Sequence, residues 1–398
     1  MEPTTPLANR LHQPIALTRV AWLWLLRLLI VVVVLRAIAP MQTRVVLGPP
    51  QTVQAVEDHV CVHTDLIHEP EEWKIQRTAQ LTRALGASTI VEFFPWAYIE
   101  TERDTYNWVQ ADRIVKHAEN QGVRIIARLG LVPTWARPRD TTLNTLPEAS
   151  DPDFADFVEA FTRRYAGRIQ HVIIWNEPNL AFEWGFAPVD PARYVRLLAH
   201  AYPAAKRGNP EVIVLAGALA PTLEPPGSPN GLDDRLYLEA MYAAGAAAYF
   251  DALAIHTYGF THPPDDPPAP DRLNFRRVEL LRDIMTANGD GDKPVYITES
   301  GWNDNPRWVH GVRPSQRAAY TVDALAFTDT HWPWAETLCL WILRHPTPRG
   351  THRDNFTLIT PDFQLKPVYD AVRAYAHGEE SVGPHWLPPP VEAAEASP

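Results

Sequence analysis

Between residues 60 and 343 the chain alternates two patterns. Short β-branched apolar runs at 60–63, 89–94, 123–129, 171–175, 212–216, 250–255, 295–298 and 337–343 have the length and composition of buried strands. Between them lie longer stretches in which apolar residues recur every three or four positions. These predict helices over 112–120, 154–165, 191–206, 235–247, 276–287 and 314–328. Eight such units predict an α/β fold, a (β/α)8 TIM barrel, whose usual length is about 250 residues. An open doubly wound sheet is the alternative, but no strand is followed by the glycine turn that such sheets use for phosphate. The segments at 133–153, 179–190, 221–234 and 259–271 are long and lie after strands. On a barrel they become the loops of the ligand-binding face.

The N-terminal pattern is different. Residues 1–19 are polar, with Arg10 and Arg19 as a basic flank, and 20–39 are almost wholly apolar around Arg27. This predicts a transmembrane or signal-anchor helix, tethering the chain to a membrane and placing the remainder outside the cytoplasm. A cleavable signal is the rival reading, with Ala37-Ile38-Ala39 as the cleavage site, but Pro40 opposes cleavage there. Residues 40–57 read as a linker, 58–376 as the barrel domain and 377–398 as a disordered Pro-rich tail.

Composition narrows the partners. The net charge of −11 argues against nucleic acid, and the 14 tryptophans and 13 tyrosines suit the apolar faces of sugars. Cys61 and Cys339 fit two buried small hydrophobes; a bridge between them requires the first and last strands to be neighbours, which the sequence leaves open. His256 with His262, and His345 with His352, match no familiar ligand spacing, so no metal or other cofactor is expected. The sequence is silent on oligomeric state.

The chemistry gathers at the strand ends. His63 follows the first strand, Trp96 the second, and Arg128 lies on the third. Asn176 and Glu177 end the fourth, His256 and Tyr258 the sixth, Glu299 the seventh with Trp302 just beyond, and Trp341 lies on the eighth. In a barrel these ends meet at one mouth. Two carboxyl groups across a pocket are what glycosidic cleavage needs, one to protonate the leaving oxygen and one to attack the anomeric carbon. One difficulty is that neighbours on a strand point to opposite faces, so Asn176 and Glu177 share a site only if the strand breaks at its tip, for which Pro178 is the signal.

Trp175-Asn176-Glu177-Pro178-Asn179 and Thr298-Glu299-Ser300-Gly301, with His256-Thr257-Tyr258 and Trp341 at the matching strands, resemble the retaining glycoside hydrolases of clan A. The segment from Phe94 to Glu100, with Tyr106, Trp108 and Asp112 after it, is similar to family 39 and related cellulase-like members. The resemblance implies Glu177 as acid/base, Glu299 as nucleophile and Asn176 as the ligand of a sugar 2-hydroxyl. It further implies substrate contacts from His256, Tyr258, Trp341, His63, Arg128, Trp302 and Trp96. Many members carry an arginine on strand two beside the nucleophile; here that position reads as Glu92, and Arg128 is its candidate substitute. The expectation is hydrolysis of a β-linked carbohydrate with net retention. A transglycosylase using the same site, or a non-catalytic glycan-binding barrel linked to polysaccharide export, are the alternatives.

Overall fold

The computed structural model describes residues 13–38, 45–57 and 59–379. The basic flank before residue 13, the residues around Pro40 and the tail beyond residue 379 lie outside them. The folded domain is a closed barrel of eight parallel strands in sequence order. They are β1 (Val60–His63), β2 (Thr89–Pro95), β3 (Arg124–Gly130), β4 (His171–Ile174), β5 (Ile213–Leu219), β6 (Ala252–Tyr258), β7 (Val295–Gly301) and β8 (Ala335–Leu340). Every strand predicted from the pattern is present, with ends that differ by a few residues.

Alternation sorts the side chains into two cores. Cys61, Val91, Ile126, Ile173, Leu215, Ala252, Ala254, Tyr296 and Cys339 fill the barrel interior. Their neighbours, such as Ile90, Ile125, Val172, Leu253 and Ile297, face outward and pack under the helices. The interior carries small residues on β6 opposite larger ones on β2 to β4, so it is filled rather than hollow.

Helices α2 (Glu72–Leu85), α4 (Val109–Asn120), α5 (Asp151–Arg164), α6 (Pro191–Gly208), α7 (Asp234–Ala243), α8 (Val278–Ala287), α9 (Pro314–His331) and α10 (Pro367–Ala376) ring the barrel, with a one-turn α3 (Trp96–Ile99) on the β2 exit. α2 and α10 were not foreseen; they bracket the seam, where the Tyr369 hydroxyl donates to Leu81 O at 2.8 Å. α6 starts where Asp190 accepts from the Ala192 amide and Pro191 fits the first turn, and α7 where Asp233 accepts from the Arg235 amide. Buried ion pairs tie helices together: Arg193 holds Asp151 through two bonds of 2.8 and 2.6 Å, and Arg277 holds Asp234.

Two expectations change. β1 pairs with β8 so that Cys61 and Cys339 are direct register partners, and they are joined in a disulfide rather than standing as separate hydrophobes. The expected linker is also shorter: the Gln51 amide bonds Asn120 O at 2.7 Å and the Val56 amide bonds Ala376 O at 2.8 Å, so 47–57 belongs to the barrel. At the other end, the first tail residues stay on the domain, with the Glu379 amide bonded to Ala374 O.

The residues up to Val46 form a separate unit. Its helix α1 (Gln13–Ile38) exposes every side chain from residue 21 to 34, including Trp22, Trp24 and a run of leucines, isoleucine and valines. Arg27 lies over the Trp24 ring at 5.3 Å. Among the described residues no helix is long and apolar enough to cross a membrane.

Candidate active site

Asn176 and Glu177 reach one cleft because the fourth strand stops early. β4 ends at Ile174, and Trp175 takes φ 73°, a left-handed conformation that costs a bulky residue free energy. Glu177 follows with φ 44°. The break therefore falls at Trp175, three residues ahead of Pro178, where the sequence pointed. Two contacts hold the strained segment: the Trp175 indole donates to Glu183 O at 2.9 Å, and the Glu177 amide donates to Ala218 O at 3.1 Å. That carbonyl is turned by an irregularity in β5, where Gly217 and Ala218 have φ of 91° and 51°.

Glu299 needs a similar device. Counting from inward Tyr296, plain alternation would send residue 299 outward. The β6–β7 register shifts, so that Ile255 faces Ile297 but His256 faces Glu299, and the glutamate turns into the mouth. On β6 no shift is needed, since Ala252, Ala254, His256 and Tyr258 lie on one face by alternation.

The resulting network is closed. Arg128 Nη1 donates to Glu299 Oε1 at 2.9 Å and to Asn176 Oδ1 at 2.7 Å. Tyr258 donates its hydroxyl to Glu299 Oε2 at 2.7 Å. His256 Nδ1 lies 2.8 Å from Glu177 Oε1 and 3.6 Å from Glu299 Oε2. His63 Nε2 lies 3.6 Å from Glu299 Oε1 while its Nδ1 bonds Thr64 O. One oxygen of Glu177, one of Glu299 and a ring nitrogen of His256 fall within 4.8 Å of one another. That set has the reach to hold a cation, but the Arg128 guanidinium bonded to Glu299 already supplies the positive charge there.

The electrostatics separate the groups. Burial alone would raise the Glu299 carboxyl, but the positive surroundings and the Tyr258 hydrogen bond hold it down at about 2. Burial and then Arg128 lower His63 to about 3, so it is neutral at neutral pH and the stabilising charge on Glu299 comes from His256 and Arg128. For His256, burial favours the neutral ring, yet Glu299 and Glu177 outweigh it and raise its proton affinity. Glu299 is thus an ionised carboxylate in a dry site.

The expected residues divide. Glu177, Glu299, Asn176, His256, Tyr258, His63 and Arg128 converge. Trp341 follows β8 at the same mouth, half-buried against Phe356 and His345, and its peptide bond to Ile342 is cis. Trp96 and Trp302 do not belong to the cleft. Trp96 is fully buried beneath α5, stacked on Phe157 and bonded to Glu100 at 2.6 Å. Trp302 packs on Phe275 and donates to His262 O, closing over Gly259, where a Cβ would come within 2.1 Å of its ring. Glu92 likewise faces outward between Val91 and Phe93. It accepts from the Thr64 hydroxyl and the Leu66 and Ile67 amides, so it fixes the loop after β1 rather than standing beside the nucleophile position.

One residue was not foreseen. Glu183, on the loop after β4, lines a cavity of about 180 Å³ with Arg128, Asn144, Asn176, Phe93 and Trp175. Its place on a long post-strand loop is legible, but nothing in sequence separates it from the solvated acids of other loops.

No family model and no curated protein matches the chain by sequence. Comparison of folds is positive. The chain is similar to a family 39 glycoside hydrolase from the gut symbiont Bacteroides cellulosilyticus, with TM-score 0.65 and 23% identity, covering 80% of this chain and 63% of that one. It is also similar to a monomeric β-xylosidase from Caulobacter crescentus (TM-score 0.61, 20% identity, 82% of this chain and 69% of that one). A family 39 enzyme from Xanthomonas axonopodis matches at TM-score 0.61 and 20% identity, over 82% and 67% of the two chains. The chain shares its fold, a closed (β/α)8 barrel, with these enzymes. The chain spans less than two thirds of the Bacteroides protein.

Proposed function

We propose that the chain is a retaining glycosidase that hydrolyses β-linked O-glycosyl bonds. The observation that carries this is the meeting of Glu177 and Glu299 across one cleft, with His256 Nδ1 at 2.8 and 3.6 Å from the two carboxylates and one oxygen of each within 4.8 Å. That closeness suits double displacement, with carboxyl groups about 5–5.5 Å apart, better than inversion, which needs roughly 6.5 Å or more to admit a water. Glu299, ionised by its surroundings, attacks the anomeric carbon as the glycosidic C–O bond breaks. Glu177 gives its proton to the leaving oxygen, and His256 at 2.8 Å shares that proton. Water then attacks the glycosyl ester, with Glu177 taking its proton and Glu299 leaving. Asn176, anchored through Oδ1 to Arg128 and giving one Nδ2 hydrogen to Glu183, keeps the other to offer to a 2-hydroxyl. Among linkages, β-xylosides head the panel, because the Caulobacter neighbour is a β-xylosidase.

The exposed apolar run of α1 over residues 21–34, interrupted only by Arg27, supports attachment to a membrane, and the Cys61–Cys339 disulfide, a bond that belongs to oxidising compartments, supports an extracytoplasmic barrel. The decisive experiment is proton NMR of the first-released anomer during hydrolysis of aryl β-glycosides. Retention is expected; an inverted first product would refute the double displacement. Transfer to an added sugar acceptor in place of hydrolysis would mark a transglycosylase.

A further inference from the structure

Glu183 is costly where it stands. Its carboxyl is largely removed from solvent, and burial and then the neighbouring Glu177 raise it to about 7. Among the described residues it has no ion pair. Its side-chain bonds are with the Asn144 amide, at 3.2 Å, and with Asn176. A buried acid without a cation destabilises a fold unless something else uses it. The fold does not use it, because the loop is fixed by other groups. The Trp175 indole holds the Glu183 carbonyl, and Thr145 packs against Gly185, where φ is 67° and a Cβ would meet the Thr145 backbone at 2.7 Å.

The surroundings show what the carboxyl faces. The cavity of about 180 Å³ has apolar sides from Phe93 and Trp175 and a polar wall from Arg128, Asn144, Asn176 and Glu183. Arg128 Nε is buried there without a partner among the described residues, although the same guanidinium bonds Glu299 and Asn176 through Nη1. One wall of rings and one of mixed donors and acceptors is the chemistry that receives a sugar ring. The Arg128 cation disfavours a positively charged amino group, and the Glu183 acid disfavours a carboxylated sugar, which leaves neutral hydroxyls.

We propose that Glu183 contacts substrate and sets specificity, accepting hydrogen bonds from ring hydroxyls of a neutral sugar unit seated beside Arg128 and Asn176. The inference rests on the glycosidase reading and deepens it. Asn144 steadies the carboxyl, and Asn176 links this wall to the two-glutamate centre, so a correctly bound ring is registered against the bond to be cut.

The test compares the aryl glycoside that the wild-type chain turns over best with analogues each lacking one ring hydroxyl. Calorimetry on the corresponding free sugars runs in parallel. An analogue without the partner hydroxyl leaves a buried carboxyl oxygen unsatisfied, which predicts about 10- to 100-fold discrimination in kcat/KM against at least one analogue by the wild type. Glu183→Leu, of similar size without acceptors, should reduce that to about 3-fold or less by losing rate on the parent, and Glu183→Gln should fall between. Equal losses on parent and analogues in both variants would overturn the proposal while leaving the glycosidase reading intact. If the Leu variant does not fold, undiminished discrimination by the Gln variant overturns it. Hydroxyl-selective sugar binding that depends on Glu183, with no glycoside hydrolysed, would refute the glycosidase reading and keep this one. A wild type that discriminates against no analogue overturns the proposal.

Discussion

Arg128 on the third strand reaches Glu299 on the seventh, Nη1 to Oε1 at 2.9 Å, with Asn176 on the same nitrogen. A guanidinium fork suits this sharing, whereas an ammonium holds the charge without the geometry. Arg128→Ala should lower kcat/KM by about 10²–10³, the range for removing one preorganised donor. It should also move the acid limb of the pH profile upward. The sign follows from the charge: Glu299 sits near about 2 partly because of Arg128, and without it protonation sets in at higher pH. Arg128→Lys should shift the limb less. An acid limb unchanged in the Ala variant would remove Arg128 from the ionisation of Glu299.

The two glutamates should answer differently to an added nucleophile. Glu299→Ala should abolish turnover of aryl glycosides, and azide should restore it with a glycosyl azide of inverted configuration. Glu177→Ala should still be glycosylated by substrates with good leaving groups, and azide should yield the retained product. Identical stereochemistry from both variants would contradict the assignment.

Tyr258→Phe removes one hydrogen bond to the same carboxylate, at 2.7 Å. A loss of about 10- to 100-fold in kcat is expected, with KM changing less, since the bond serves an anion that changes charge during reaction. A pure KM effect would make Tyr258 a binding residue instead.

Stability depends on a different pair. Arg193 and Asp151 are both buried and doubly bonded between α6 and α5. Asp151→Ala leaves a guanidinium without its partner and should cost about 3–5 kcal/mol of unfolding free energy by denaturant titration. The active-site ionisation should be untouched, as read by an unmoved acid limb.

A chain beginning at Leu47 should melt like the full chain, because the residues before it form a separate unit. It should also lose any membrane association that the full chain shows in vesicle flotation. Equal flotation of both forms would place the attachment elsewhere.

The barrel was legible because its signal is repetitive: eight β-branched runs separated by amphipathic stretches leave few other topologies. His63, Arg128, His256 and Tyr258 were legible for the same reason, since each continues the inward parity of its strand. Glu177 and Glu299 break parity, and short-range pattern cannot show that Trp175 turns left-handed or that β7 slips against β6. The motifs around Asn176-Glu177 and Thr298-Glu299, not the alternation, point to both glutamates. Trp96 and Trp302 show the converse error. Each lies just past a strand end, where direction depends on how the following loop folds back, and each loop turned its side chain away from the cleft. Glu183 was invisible because its neighbours Phe93, Arg128 and Asn144 come from other parts of the chain.

The link between Cys61 and Cys339 joins the first strand of the cylinder to the last. It converts the intervening polypeptide into a covalent ring, with the long loops of the binding face inside it. A single cut by an external protease in any of those loops would open the ring without releasing a fragment. A nicked barrel would remain one molecule until a reductant reached the two sulfurs, which lie fully buried in its interior. In the extracytoplasmic setting proposed above, the staple would confer tolerance to such cuts.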